Sequence, residues 1–135
     1  QGHLVLIDFQ DARMGPCQYD LVSLLKDSYV KINDTLVEEL IDYYIFLKEK
    51  EEGQEVDRER FRDIFDKMSI QRNLKVVGTF AYQSVKKNNN RYEGFIAPTL
   101  GYVRKVLRCR FKDSSLQKVL SKHIPGLDRK EELDL

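Results

Sequence analysis

The stretch Ile7–Asp27, IDFQDARMGPCQYDLVSLLKD, decides how the rest of the chain is read. The apolar run that leads into it, His3 to Phe9, is short and rich in Leu, Val and Ile, with a turn before it and polar residues after it, which argues strand over helix. The run ends in the carboxylate of Asp8, turns through Gly15-Pro16, and opens at Tyr19 into helical spacing at Leu21, Leu24, Leu25 and Tyr29. Asp20 falls near the start of that helix, where a carboxylate complements unpaired N–H groups. No convincing second strand follows, and a lone strand leaves its ladder groups unpaired. The expectation is a piece of a larger machine, with the strand's partners upstream of Gln1.

Downstream the periodicity stays helical. Thr35-Leu-Val-Glu38 fits a capping box, Leu36, Leu40, Tyr43, Tyr44 and Leu47 form a stripe, and Gly53 is placed to end the helix. Asp57 opens a longer pattern with Phe61, Ile64, Phe65, Met68, Leu74, Val77, Phe80 and Ala81 on its apolar face. A helix beyond 30 residues is long for a globular domain, so a break is expected near Ser69–Gln71 or at Gly78. KKNNNRYEG reads as a polar loop, Pro98 or Thr99 opens a helix through Leu100, Val103, Val106 and Leu107, and a short helix covers Ser115–Lys122. The tail DRKEELDL reads as frayed. One strand and about five helices in a single mainly α unit are expected.

Composition sets limits. The 135 residues suit one domain, and no apolar run approaches the length of a membrane span. Twenty-three basic against twenty-two acidic residues leave a net charge of +1, so nothing global steers the chain to nucleic acid or an anionic membrane. Cys17 and Cys109 lie far apart without metal-ligand spacing, which fits reduced thiols in a cytoplasmic protein and argues against zinc.

The chemistry concentrates in LVLIDFQDARMGP. A carboxylate at the end of a strand, followed by an aromatic and a Gly-Pro turn, is where phosphotransferases place a hard oxygen ligand for Mg²⁺ on nucleotide phosphates. An acid ending a strand is, taken alone, most often a turn residue. Taken together, IDFQDARMGPCQYDLVSLLKDSYV and the later IQRNLKVVGTFAY resemble the C-terminal part of the aminoglycoside phosphotransferase and choline kinase family, a branch of the protein-kinase-like fold. Within it the likeness is greatest to bacterial sugar kinases that act on N-acetylmuramate and N-acetylglucosamine. The resemblance covers Gln1 to about Leu107. It implies a C-terminal helical lobe over residues 1–127, with 128–135 as a tail, ATP and Mg²⁺ as cofactors, and a sugar or amino sugar as acceptor. It implies that Asp8 is the magnesium-binding acid and that Asp20 braces the catalytic loop from below.

The family's catalytic loop, H-G-D followed by an Asn, does not occur in this chain, and neither does the nucleotide-binding N-terminal lobe with its Lys and glycine-rich cover. The chain alone is therefore expected to be inactive, its missing lobe being its first partner. Gln10 and Asp11 are candidates for nucleotide-proximal contacts, with a polar loop as the default. Gln71, Arg72 and Lys75 suit hydroxyl-rich or anionic acceptors by their donor geometry, or else form an interhelical polar seam. The basic run RKVLRCRFK, Arg104–Lys112, binds phosphate or an acidic partner, or simply balances the acid-rich Glu38–Asp66 region. Tyr43, Tyr44, Tyr82, Tyr92 and Tyr102 are candidates for stacking on a sugar ring, with packing as the default. A homodimer through the strand edge is a further expectation. The rival class is a non-catalytic helical interaction module or a degenerate kinase lobe.

Overall fold

The structure, a computed structural model, describes residues 3, 5, 13–124 and 126–127. Its elements are α1 (Gln18–Leu25), α2 (Asp34–Glu52), α3 (Arg58–Lys87), a 3₁₀ helix (Asn90–Phe95), α4 (Ile96–Arg110) and α5 (Ser115–His123). The mainly α expectation holds among the described residues. The strand expected over His3–Phe9 lies outside them, except for His3 and Val5, which are in neither helix nor strand. The tail at 128–135 also lies outside them.

Local chemistry sets the helix ends. Asn33 caps α2, its side chain accepting from the Leu36 N–H at 2.8 Å. The cap therefore sits two residues before the expected Thr35, which is already inside the helix. Gly53 ends α2 in the left-handed conformation, φ +67°, as a C-terminal glycine should. Asp57 and Ser114 cap α3 and α5 by accepting from the Arg60 and Gln117 N–H groups. The polar loop after α3 is a left-handed Asn88 followed by the 3₁₀ turn, and α4 starts at Ile96, before Pro98.

Two apolar cores flank α3. In the first, Leu21, Val22 and Leu25 of α1 meet Val37, Ile41 and Ile45 of α2 and Phe61 and Phe65 of α3. In the second, Ile70 of α3 meets Leu100, Val103 and Leu107 of α4 and Leu127 beyond α5. Because each half of α3 has its own core, the helix runs unbroken for 30 residues, and neither expected break occurs. Ser69 and Asn73, both fully buried, replace bulk with small side chains where the pattern changes from one core to the other.

The stripe expected on α2 needs correction. Val37, Ile41 and Ile45 are the buried row, while Leu36, Tyr43 and Leu47 are exposed. Leu24 and Tyr29 are likewise exposed, although Tyr29 lies edge-on to Phe95 at 4.8 Å.

Candidate functional site

Asp8, Gln10 and Asp11 lie outside the described residues. Asp20 is exposed in the first turn of α1. That turn is built onto the Gly-Pro segment, the Tyr19 N–H donating to the Pro16 carbonyl at 2.9 Å. Among the described residues no group of three or more His, Cys, Asp or Glu side chains is placed to hold a metal.

α3 brings the second motif to α1. Lys75 Nζ lies 3.4 Å from the Tyr19 hydroxyl, which sets this exposed cation beside the turn that carries Asp20. Gln71, four residues earlier, is exposed. Arg72 points elsewhere: its Nε donates to Ser23 Oγ at 2.9 Å, Nη1 approaches the Lys26 carbonyl at 3.5 Å, and Nη2 lies 3.9 Å from Asp27. Arg72 thus ties the C-terminal end of α1 to the middle of α3, a polar seam between helices. Gln71 and Lys75 are left facing solvent.

A second place with concentrated chemistry is a cleft of about 330 Å³ where α1, α2, α3 and α4 meet. Asp34 at the start of α2 accepts from Lys105 of α4 and lies 3.6 Å from Lys26, the residue that follows α1. The Lys105 hydrogen bond, more than anything else, holds the Asp34 carboxyl below its ordinary value. Arg110 donates to Asp66 at 2.9 Å, and Arg62 pairs with Glu38. Burial pushes the Asp66 carboxyl up, against the opposing pull of Arg110 and Arg62. Lys26 also sits over the Tyr102 ring, 5.5 Å from its centre, and burial raises the Tyr102 phenol. Each acid here is matched by a cation from another helix, so the cleft latches four helices together.

Only one signal pointed to that cleft: the basic run at Arg104–Lys112 opposite the acid-rich Glu38–Asp66 region. Of that run, Arg110 pairs with Asp66 of the acid-rich region, Lys105 pairs with Asp34 just ahead of it, and the buried Arg104 guanidinium donates to the Gly126 carbonyl at 3.2 and 2.9 Å. Among the tyrosines, Tyr44 packs on Phe61 at 5.9 Å, and burial raises its phenol to about 12. Tyr92 stacks on Phe80 at 5.5 Å.

The acid, the Gly-Pro turn and the Tyr-Asp-Leu helix start all fall in the part of the chain that a family model matches. Residues 1–61 match the family model of the phosphotransferase enzyme family. The chain is related in sequence to that family, whose kinase-like fold contains a helical C-terminal lobe of this kind.

The relatives are more particular. The chain is 36% identical over 110 residues to an N-acetylmuramate/N-acetylglucosamine kinase of Neisseria meningitidis serogroup B, covering 80% of this chain and 33% of that protein. It is 33% identical over 103 residues to one of Pseudomonas putida, covering 76% and 30%, and 30% identical over 118 residues to one of Pseudomonas aeruginosa, covering 86% and 35%. The chain spans about a third of the length of these curated relatives. No solved structure matches it.

Proposed function

We propose that the chain is the C-terminal lobe, residues 1–127 with a tail at 128–135, of an ATP-dependent phosphotransferase that phosphorylates a hydroxyl of a sugar or amino sugar. The observation that carries this is the likeness, over most of the chain, to three proteins named as N-acetylmuramate/N-acetylglucosamine kinases. In this reading the preceding lobe of the same protein is the necessary partner, no nucleic acid or membrane takes part, and the enzyme works in the cytoplasm. No helix among the described residues is long and apolar enough to cross a membrane.

Asp8 offers the hard carboxylate oxygen that Mg²⁺ prefers, and a single carboxylate with nucleotide phosphates is a usual donor set for that ion. Held by the Asp8 carboxylate, Mg²⁺ would supply positive charge against that developing on the transferring phosphoryl group. Gln10 and Asp11, two and three residues after Asp8 in sequence, are the nucleotide-proximal residues of this reading. Asp20 in the first turn of α1 braces the catalytic loop contributed by the preceding segment. Gln71 and Lys75 present an amide and an ammonium to the acceptor's hydroxyls, while Arg72 holds α3 and α1 in register beneath them.

ADP release tests the reading, measured on the longer protein with Mg²⁺-ATP and a panel of N-acetylmuramate, N-acetylglucosamine, other hexosamines, choline and aminoglycosides. Asp8→Ala and the 135-residue chain serve as controls. Turnover with an amino sugar that both controls lose is expected. Turnover undiminished in Asp8→Ala would remove the metal role, and no turnover with any acceptor would remove the kinase reading.

A further inference from the structure

We propose that the outer face of α2 is a homodimer seam that pairs antiparallel with α2 of a second copy of this chain. α2 is apolar on two opposite sides. Val37, Ile41 and Ile45 fill the first core, and half a turn round the helix stand Leu36, Glu39, Tyr43, Phe46 and Lys50. These five recur at alternating three- and four-residue steps, the a/d spacing of a coiled-coil seam. Tyr43 is 58% exposed, Phe46 55% and Leu36 41%. Glu39 and Lys50 are also exposed and make no ion pair or hydrogen bond to a described residue, whereas Glu38, Asp42 and Glu49 on the flank are paired with Arg58 and Arg62.

The pattern chooses its own partner. When two such helices run antiparallel, a positions face d positions. That register sets Tyr43 against Phe46 of the second copy and Phe46 against its Tyr43, two aromatic pairs at the centre. It sets Glu39 against Lys50 at one end and Lys50 against Glu39 at the other. A two-fold axis between the helices relates all four contacts, as a self-complementary interface requires. Parallel pairing in register would instead oppose Glu39 to Glu39 and Lys50 to Lys50. A seam of about 21 Å on a single helix falls short of the roughly 800 Å² per partner of a standard interface. The dimer is accordingly weak and concentration-dependent. It uses neither the strand edge nor the phosphotransfer chemistry.

The test is sedimentation velocity on the 135-residue chain from about 10 to 1,000 µM, where weak association is resolved. A monomer–dimer equilibrium is expected, and Phe46→Glu abolishes it. Glu39→Lys and Lys50→Glu each turn two attractions into two repulsions and weaken association about tenfold or more. The double variant E39K/K50E restores both pairs in reversed sense and returns association to near the wild-type level. All three positions are exposed, so far-UV circular dichroism should be unchanged throughout. A chain that stays monomeric, a dimer indifferent to Phe46→Glu, or a charge swap that fails to restore association would each overturn the proposal.

Discussion

Arg72 is the sharpest point at which packing and function compete for one side chain, so its replacement is informative. Its side chain is only 14% exposed, and its one short hydrogen bond, to Ser23 Oγ at 2.9 Å, is charge-assisted. A hydrogen bond with one charged partner contributes about 1.5–3 kcal/mol, and the 3.5 Å and 3.9 Å approaches to Lys26 and Asp27 add at most a fraction of that. Arg72→Ala should therefore destabilise the chain by about 2–3 kcal/mol, lowering the melting temperature by roughly 10 °C at this size. Ser23→Ala should cost about 1–2 kcal/mol, because it strands a part-buried guanidinium N–H. Urea melts of the wild type, both single variants and the double variant form a cycle whose coupling should be about 1 kcal/mol or more. Arg72→Lys keeps the charge but loses the planar fork and should recover less than half of the loss. A coupling below about 0.3 kcal/mol would refute the seam reading, since that is within the scatter of additive sites.

Two helix-associated glycines, Gly53 and Gly78, should respond in opposite directions to alanine. Gly53 has φ +67°, so Gly53→Ala costs about 1 kcal/mol, whereas Gly78 is mid-helix with nothing within 4 Å of an added Cβ, so Gly78→Ala gains about 1 kcal/mol in urea melts. Asn33→Ala removes the α2 cap and should cost about 1 kcal/mol by the same measurement. Asp66 has a folded pKa above its ordinary value of 3.8, so the folded state holds its proton longer and stability falls as pH rises through that interval. Asp66→Asn should flatten that fall in thermal melts followed as pH is raised from below 3.8. Asp34 has the opposite sign: its carboxyl is lowered from 3.8, and its contribution is lost as pH drops through the lower folded value.

Much of the helical plan was legible because caps and glycines act locally. Asp57 and Gly53 mark ends by groups within a few residues of the chain, and the structure uses both. The face of α2 was not legible. With Leu36, Tyr43, Phe46 and Leu47 on one side and Val37, Ile41 and Ile45 on the other, both rows satisfy the same spacing. Only the position of α1 and α3 decides that the branched row turns inward. The continuity of α3 was hidden because a helix of that length is expected to break, yet here α4 supplies a second core just past Ser69. The cleft was the least legible, because Lys26, Asp34, Asp66, Lys105 and Arg110 are ordinary surface residues until four helices converge.

These packing facts bear on the motif at the start of the chain. α1 is short, eight residues, and too short to be stable alone. It is held on one side by Leu21, Val22 and Leu25 in the first core, and at its end by Arg72 reaching from α3 to Ser23. Its first turn is fastened to Pro16 through the Tyr19 N–H, so the point where the Gly-Pro segment arrives is fixed by contacts made far along the sequence. A phosphotransferase needs its metal-binding acid held to a fraction of an ångström. The helices downstream, which carry no catalytic group of their own in this reading, serve that need by making α1 a rigid abutment. Loosening Arg72 or the first core should then reduce phosphotransfer in the longer protein even though neither touches a substrate.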